Sequence, residues 1–234
     1  MSNPVIVCKN LSKSYKKSLP VLDSLEFSLE SGKIMGLLGP NGCGKSTLLK
    51  LISGILVADS GLIEICGIKR SDETNKLISF LPERPYFNSK MTVEEMIGFF
   101  KDFYEDFDEL TARKMLSDMS IDTRAQVKTL SKGNKEKVQL ILVMSRRAKL
   151  FLLDEPIGGV DPAAREYILR TIIGNYSQDA SVIITTHLIS DIEPIIDDFA
   201  FMKDGKIFMS GVADDVRATT GKSLDELFRE VFRC

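Results

Sequence analysis

The sequence predicts an α/β domain with a mainly parallel sheet, a smaller antiparallel β part and an inserted helical subdomain. Short apolar, β-branched runs bounded by turn residues recur at Ile34–Gly39, Leu62–Cys66, Ile78–Leu81, Leu150–Asp154, Val182–Thr186 and Phe199–Met202. Helical patterns separate several of them, as a parallel sheet requires. "KDGK", Lys203–Lys206, is a tight hairpin turn, so part of the β structure is antiparallel. From about Arg84 to Lys149 the strand signals vanish.

That middle segment reads as helical. Thr92 and Glu95 stand in capping-box spacing, and Val93, Met96, Ile97, Phe100 and Phe103 follow at helical intervals. A Met- and Phe-rich stripe of this kind is the packed face of a helix. The chain therefore divides into an α/β core, 1–83 and 150–234, and a helical subdomain, 84–149, within one domain. At the far end "GKSLDELFREVF" places Leu224, Leu227, Phe228, Val231 and Phe232 on one face of a helix expected to dock on the core.

Bulk properties exclude several classes. The 234 residues suffice for a full core, and 44% hydrophobic with 27% charged residues is ordinary for a soluble globular chain. Lys plus Arg is 31 against 33 Asp plus Glu, and the net charge of -2 predicts no nucleic-acid partner. Cys8, Cys43, Cys66 and Cys234 show neither metal-ligand spacing nor a paired framework, which fits a reducing cytoplasm. No apolar run approaches the ~20 residues of a membrane span, and no secretory leader is visible.

The chemistry begins at Gly39-Pro40-Asn41-Gly42-Cys43-Gly44-Lys45-Ser46-Thr47, a G-x-x-x-x-G-K-[ST] loop between a predicted strand and helix. Its glycines let the backbone wrap phosphate oxygens, and its amides with the helix N-terminus hold negative charge. Lys45 is expected to reach the β and γ phosphates of ATP and Ser46 to ligate Mg²⁺. The chain thus carries the core of a P-loop NTPase. Cys43 sits among loop amides that can lower a thiol pKa, although a small filler suffices there.

"KLFLLDEP" is a buried strand ending in two carboxylates. Beside a phosphate loop, Asp154 suits a metal role, direct or through water, and Glu155 can polarise the attacking water. The lone histidine, His187, ends "SVIITTH". Such a residue is ordinarily packed or capping. Here it reaches the sheet edge where open α/β folds bind ligands, within reach of a γ-phosphate.

These pieces, in this order, resemble the nucleotide-binding subunit of ATP-binding cassette (ABC) transporters over nearly the whole chain. The resemblance rests on Tyr15, the P-loop, the loop at Glu83, "LSKG" from Leu130, "LLDEP", "GGVD" and His187. It implies an ATPase that dimerises head to tail around two ATP molecules, as a homodimer or with a different cassette. Tyr15 is then expected to stack on adenine, although a half-buried strand-edge tyrosine would look the same. Ser131 and Gly133 would present a hydroxyl and amides to the partner's γ-phosphate, and Asp161 would lie at the dimer seam. Without that context Asp161 is a cap or turn residue before Pro162.

Two departures stand out. The usual "LSGGQ" is "LSKGN", so Lys132 replaces a glycine and Asn134 a glutamine; solvent is the ordinary destination of such a lysine. Glu83, in "FLPERPYF", replaces a glutamine that touches Mg²⁺ in the family, and it can still ligate through oxygen.

The implied function is the ATP-hydrolysing subunit of a transporter, held on the cytoplasmic face of the membrane by a transmembrane permease on a separate chain. The short tail points to an export-type permease. A cassette ATPase doing mechanical work, or a P-loop small-molecule kinase, are the alternatives; the kinase would leave "LSKG" without a task.

Overall fold

The structure is a computed structural model and describes residues 4–16, 19–158, 160–175 and 179–232. Gly159 of "GGVD" and Cys234 lie outside the described residues.

Two long strands that the sequence pattern does not predict open the chain. β1 (Pro4–Lys16) and β2 (Leu19–Glu30) pair antiparallel. Their alternation is interrupted: the register shifts between Cys8 and Leu11, where Asn10 takes a positive φ of 47°. Such bulges return Leu11 to the core while scrambling the period-2 signal.

After these come β3 (Ile34–Leu38) and the helix α1 (Lys45–Ile52). β4 (Ser60–Ile65) and β5 (Ile68–Lys69) then complete a four-stranded antiparallel sheet of order β2-β1-β4-β5. The antiparallel part is therefore larger than the single hairpin the sequence predicts.

Next follow β6 (Ile78–Leu81), α2 (Val93–Phe103), α3 (Glu109–Asp118), α4 (Lys132–Met144) and β7 (Leu150–Asp154). Among the described residues no strand lies between β6 and β7. The chain closes with α5 (Pro162–Asn175), β8 (Ser181–Thr185), α6 (Ile189–Ile192), β9 (Asp198–Lys203), β10 (Lys206–Val212), α7 (Ala213–Thr220) and α8 (Leu224–Phe232).

The second sheet runs β10-β9-β3-β8-β7-β6, parallel except for β10. Both faces of this sheet are covered, which is why β3, β7 and β8 read as unbroken apolar runs. Met35, Leu37, Leu150, Leu152 and Ile183 face a core shared with the antiparallel sheet and α1. Leu38, Phe151, Leu153, Val182 and Ile184 face the core that includes α2, α3 and α4.

The capping box at α2 is present. The Glu95 amide donates to Thr92 Oγ1 at 3.2 Å, and the Thr92 amide to Glu95 Oε2 at 2.7 Å. Val93, Met96, Ile97 and Phe100 are buried as expected, but Phe103 is 68% exposed and stacks on Phe99. It sits past the packed stripe, in the last position of the helix. Near the end of the helical segment, buried Arg146 pairs with Asp106, lies 3.8 Å from the Tyr104 ring centre and donates to the carbonyls of Ile78 and Lys76. One guanidinium thus ties the α2–α3 loop to β6.

α8 docks on the core: Leu224 is buried, and Phe228 and Phe232 pack against Phe201. Among the described residues no helix is long and apolar enough to cross a membrane.

Candidate functional site

The carboxyl ends of β3, β8 and β7 lie side by side, because β8 pairs with both neighbours. Each delivers one part of a polar cluster to the same edge, the edge where such sheets take ligands. β3 runs into the P-loop, β7 ends at Asp154 and Glu155, and β8 ends at Thr185, two residues before His187.

The P-loop is shaped by glycine. Gly44 has φ of 111°, and a Cβ there would lie 2.8 Å from Leu22 Cδ2 and 3.0 Å from the Val21 carbonyl. From this left-handed turn α1 starts directly, its amides aimed at the loop's hollow. At Gly42, by contrast, a Cβ would meet nothing within 4 Å, so the loop faces open space. A cavity of about 450 Å³ lies here, lined by residues including Tyr15, Asn41, Lys45, Glu83, Asp154 and Glu155.

Lys45 is buried within its loop, where Nζ donates to the Gly39 carbonyl at 2.7 Å and the Pro40 carbonyl at 3.2 Å. Those carbonyls hold the ammonium at the floor of the hollow. Ser46 Oγ donates to Asp154 Oδ1 at 3.1 Å, joining the two residues expected at a metal ion. Tyr15 is 58% exposed, and its hydroxyl is 3.2 Å from Thr47 Oγ1, which sets the ring at the cavity's rim.

His187 Nδ1 lies 3.0 Å from Glu155 Oε2. Against a carboxylate this nitrogen must carry the proton, so the imidazole orients the carboxylate expected to polarise water. Glu155 itself takes a positive φ of 51° and turns sharply, its carbonyl accepting the Gly158 amide at 3.1 Å.

Thr185 is a site residue that sequence reasoning misses. It is fully buried; its hydroxyl donates to Asp154 Oδ1 at 2.7 Å and accepts the Glu155 amide at 3.0 Å. The available signal was a hydroxyl ending an otherwise apolar run. A second omission is the β9–β10 hairpin. The Gly205 amide donates to the Cys43 carbonyl at 3.2 Å, and the Gly205 carbonyl accepts the Asp23 amide at 3.4 Å. The turn thus props the P-loop from behind.

Cys43 is buried in the loop, and burial pushes its thiol up against the opposing pull of nearby Lys45, which favours the small-filler reading of this position.

Three residues lie elsewhere. Ser131 caps α4, its Oγ accepting the Asn134 amide at 3.2 Å, and Gly133 follows in the first turn with open space where a Cβ would be. Neither lines the cavity among its described residues. Asp161 is exposed at the start of α5, where its carbonyl accepts the Arg165 amide.

Comparison with known proteins agrees with this arrangement. Residues 22–158 match the family described as ABC transporter. The chain is 32% identical over 232 residues to the ABC transporter ATP-binding protein YtrB of Bacillus subtilis, covering 98% of this chain and 75% of that one. It is 30% identical over 231 residues to the lantibiotic transport ATP-binding protein SrtF of Streptococcus pyogenes, with 94% of each covered. A solved structure of an ATP-binding subunit of an ABC transporter superposes with a TM-score of 0.86 at 28% identity, covering 97% of this chain and 99% of that one. The chain belongs to the ABC transporter family, and within it to the ATP-binding subunits that hydrolyse ATP.

Proposed function

We propose that this chain is the cytoplasmic motor of an export-type transporter. In this reading two cassettes close head to tail on ATP and drive a transmembrane permease carried on a separate chain. The observation that carries it is the separation of Ser131 and Gly133 from the chain's own phosphate cavity. Gly133 has helical geometry and no crowding neighbour, so nothing in its own subunit calls for a glycine. A second subunit's nucleotide is the ligand that would.

The donor set fits ATP with a divalent cation. Loop amides and the α1 N-terminus face the hollow, Lys45 can exchange the Gly39 and Pro40 carbonyls for phosphate oxygens, and Tyr15 offers its ring to adenine. Ser46, Asp154 and Glu83 would hold Mg²⁺, which neutralises charge developing on the transferred phosphoryl group. Glu155, aligned by His187, accepts a proton from the water that attacks in line. Asp161 lies on the exposed turn that follows and would face the dimer seam.

Support for a permease partner comes from an apolar surface beside the Glu83 loop. Exposed Tyr86 and Phe103, with Ile55, line a groove shared with Phe80, Pro82 and Tyr104, and exposed Phe99 stacks on Phe103. Contiguous aromatic surface of this kind marks an interaction site. The helical subdomain, 84–149, would thus carry the signature and share this face with Ile55, Phe80 and Pro82 of the core. Likeness to a lantibiotic transport protein supports export.

The test is a Glu155→Gln variant studied by sedimentation. It should bind ATP, fail to hydrolyse it and accumulate as a dimer with ATP but not ADP. A variant that stays monomeric at saturating ATP would overturn the head-to-tail motor reading.

A further inference from the structure

The first turn of α4 is built against its own electrostatics. Lys132 and Lys135 stand at the start of the helix, whose first turn has no acidic residue, at the end where positive charge is disfavoured. Lys132 does find a counter-ion: its Nζ is 3.8 Å from Glu136 Oε1, one turn further on. The order lysine-then-glutamate is the weaker one for an i,i+4 pair, and the separation exceeds a hydrogen bond. Lys132 is 77% exposed, so the pair is loose and solvent-screened.

Glu136 is held differently. Its side chain is only 17% exposed, and its other oxygen, Oε2, is buried without a hydrogen-bond partner. Burial pushes the carboxyl above its ordinary range, with Lys132 opposing that effect. Gln139 continues the same helical stripe, almost wholly buried, its Nε2 also lacking a partner. A glutamate with poor solvation therefore sits one turn behind an exposed lysine, which stands at the tip between Ser131 and Gly133. Local disagreement with propensity and charge rules marks functional positions.

We infer that Lys132 is a positioning residue for the partner subunit's ATP, parked on Glu136 in the free subunit and transferred to the γ-phosphate when two subunits close. The inference rests on the head-to-tail reading above. A γ-phosphate at the Ser131–Gly133 tip presents several oxygens and at least one full charge where Glu136 presents one accessible oxygen. A lysine needs only a rotation of its stem to change partners. The exchange requires the terminal phosphate, so ATP and ADP are told apart by a cation as well as by the backbone. Glu136 competes only weakly for the lysine, so a phosphate with more charge displaces it.

The experiment uses the full chain carrying Glu155→Gln, and reads by sedimentation velocity the ATP concentration that gives half-maximal dimer. Adding Lys132→Met should raise that concentration about tenfold, the loss of one charge-assisted hydrogen bond. Adding Lys132→Arg in its place should return most of the shift. Adding Glu136→Gln should lower the midpoint roughly threefold, by freeing the lysine. The melting temperature of each free subunit checks that α4 is intact. A Lys132→Met curve that overlays the parent, or a shift that arginine does not reverse, would overturn the role of the charge. An unmoved midpoint in Glu136→Gln would overturn the parking contact. Should the Glu155→Gln parent itself stay monomeric, the head-to-tail reading fails first and this inference with it.

Discussion

Thr185 Oγ1 lies 2.7 Å from Asp154 Oδ1, and the same hydroxyl accepts the Glu155 amide at 3.0 Å. One side chain on β8 thus holds both carboxylate-bearing residues at the end of β7. Thr185→Val keeps the shape but leaves Asp154 without that donor. We expect a loss of about 1–2 kcal/mol in stability and a fall of roughly tenfold or more in ATP hydrolysis, as for other partners that orient metal ligands. Thr185→Ser should recover most of the activity. Steady-state phosphate release with magnesium titrated in each variant checks both statements.

Gly133→Ala separates the needs of one subunit from those of two. Glycine inside a helix is less stable than alanine by roughly 0.5–1 kcal/mol, and the position is open. The free subunit should therefore gain stability in urea unfolding while ATP-driven dimerisation weakens. A variant that gains in both would contradict the task assigned to this residue.

Gly205 props the P-loop from the β9–β10 turn. It has φ of 74°, and a Cβ there would lie 2.4 Å from the Val21 carbonyl. Gly205→Ala must displace the hairpin or β2 and with it the Cys43 carbonyl contact. About 1–2 kcal/mol of destabilisation is expected from the left-handed backbone alone. Nucleotide affinity, measured by titration calorimetry, should fall several-fold although the residue is no part of the P-loop sequence.

Arg146 is almost wholly buried, and Asp106 is its ionic partner. Arg146→Met removes the guanidinium donor from that carboxylate and from the Ile78 and Lys76 carbonyls. The expected cost is about 3 kcal/mol, the usual result of removing one member of a buried pair. Denaturant unfolding should report it, and Asp106→Asn in the same background should recover part of the loss.

Alkylation should follow exposure. Burial pushes all three described thiols up, Cys8 to about 12, so access decides between them: Cys66 is exposed, whereas Cys43 and Cys8 are buried. With the folded-state values raised, reactive thiolate is scarce at neutral pH and increases only as pH climbs. Mass spectrometry after brief N-ethylmaleimide treatment at pH 7 should find Cys66 labelled well before Cys43 or Cys8. Early labelling of Cys43 would overturn the filler reading.

The second sheet was legible from sequence because its strands are covered on both faces, and full burial demands uninterrupted apolar residues at β3, β7 and β8. The first sheet was not. β1 and β2 carry bulges and polar outward positions, so neither a continuous run nor a clean alternation survives. The helix α2 was legible through its cap, but Phe103 was misplaced on the packed face, since spacing does not tell where a neighbour ends.

At the site the same division holds. The amino-acid sequence by itself determined the phosphate loop, the Asp154–Glu155 pair and the signature at Ser131, because each depends on residue types at short fixed spacing. Tertiary structure decided the rest. Strand order placed Thr185 between β3 and β7, and the β9–β10 turn was brought beneath Cys43. Those relations depend on which chain segments become neighbours, and local spacing does not encode neighbours that are tens of residues apart or on another subunit.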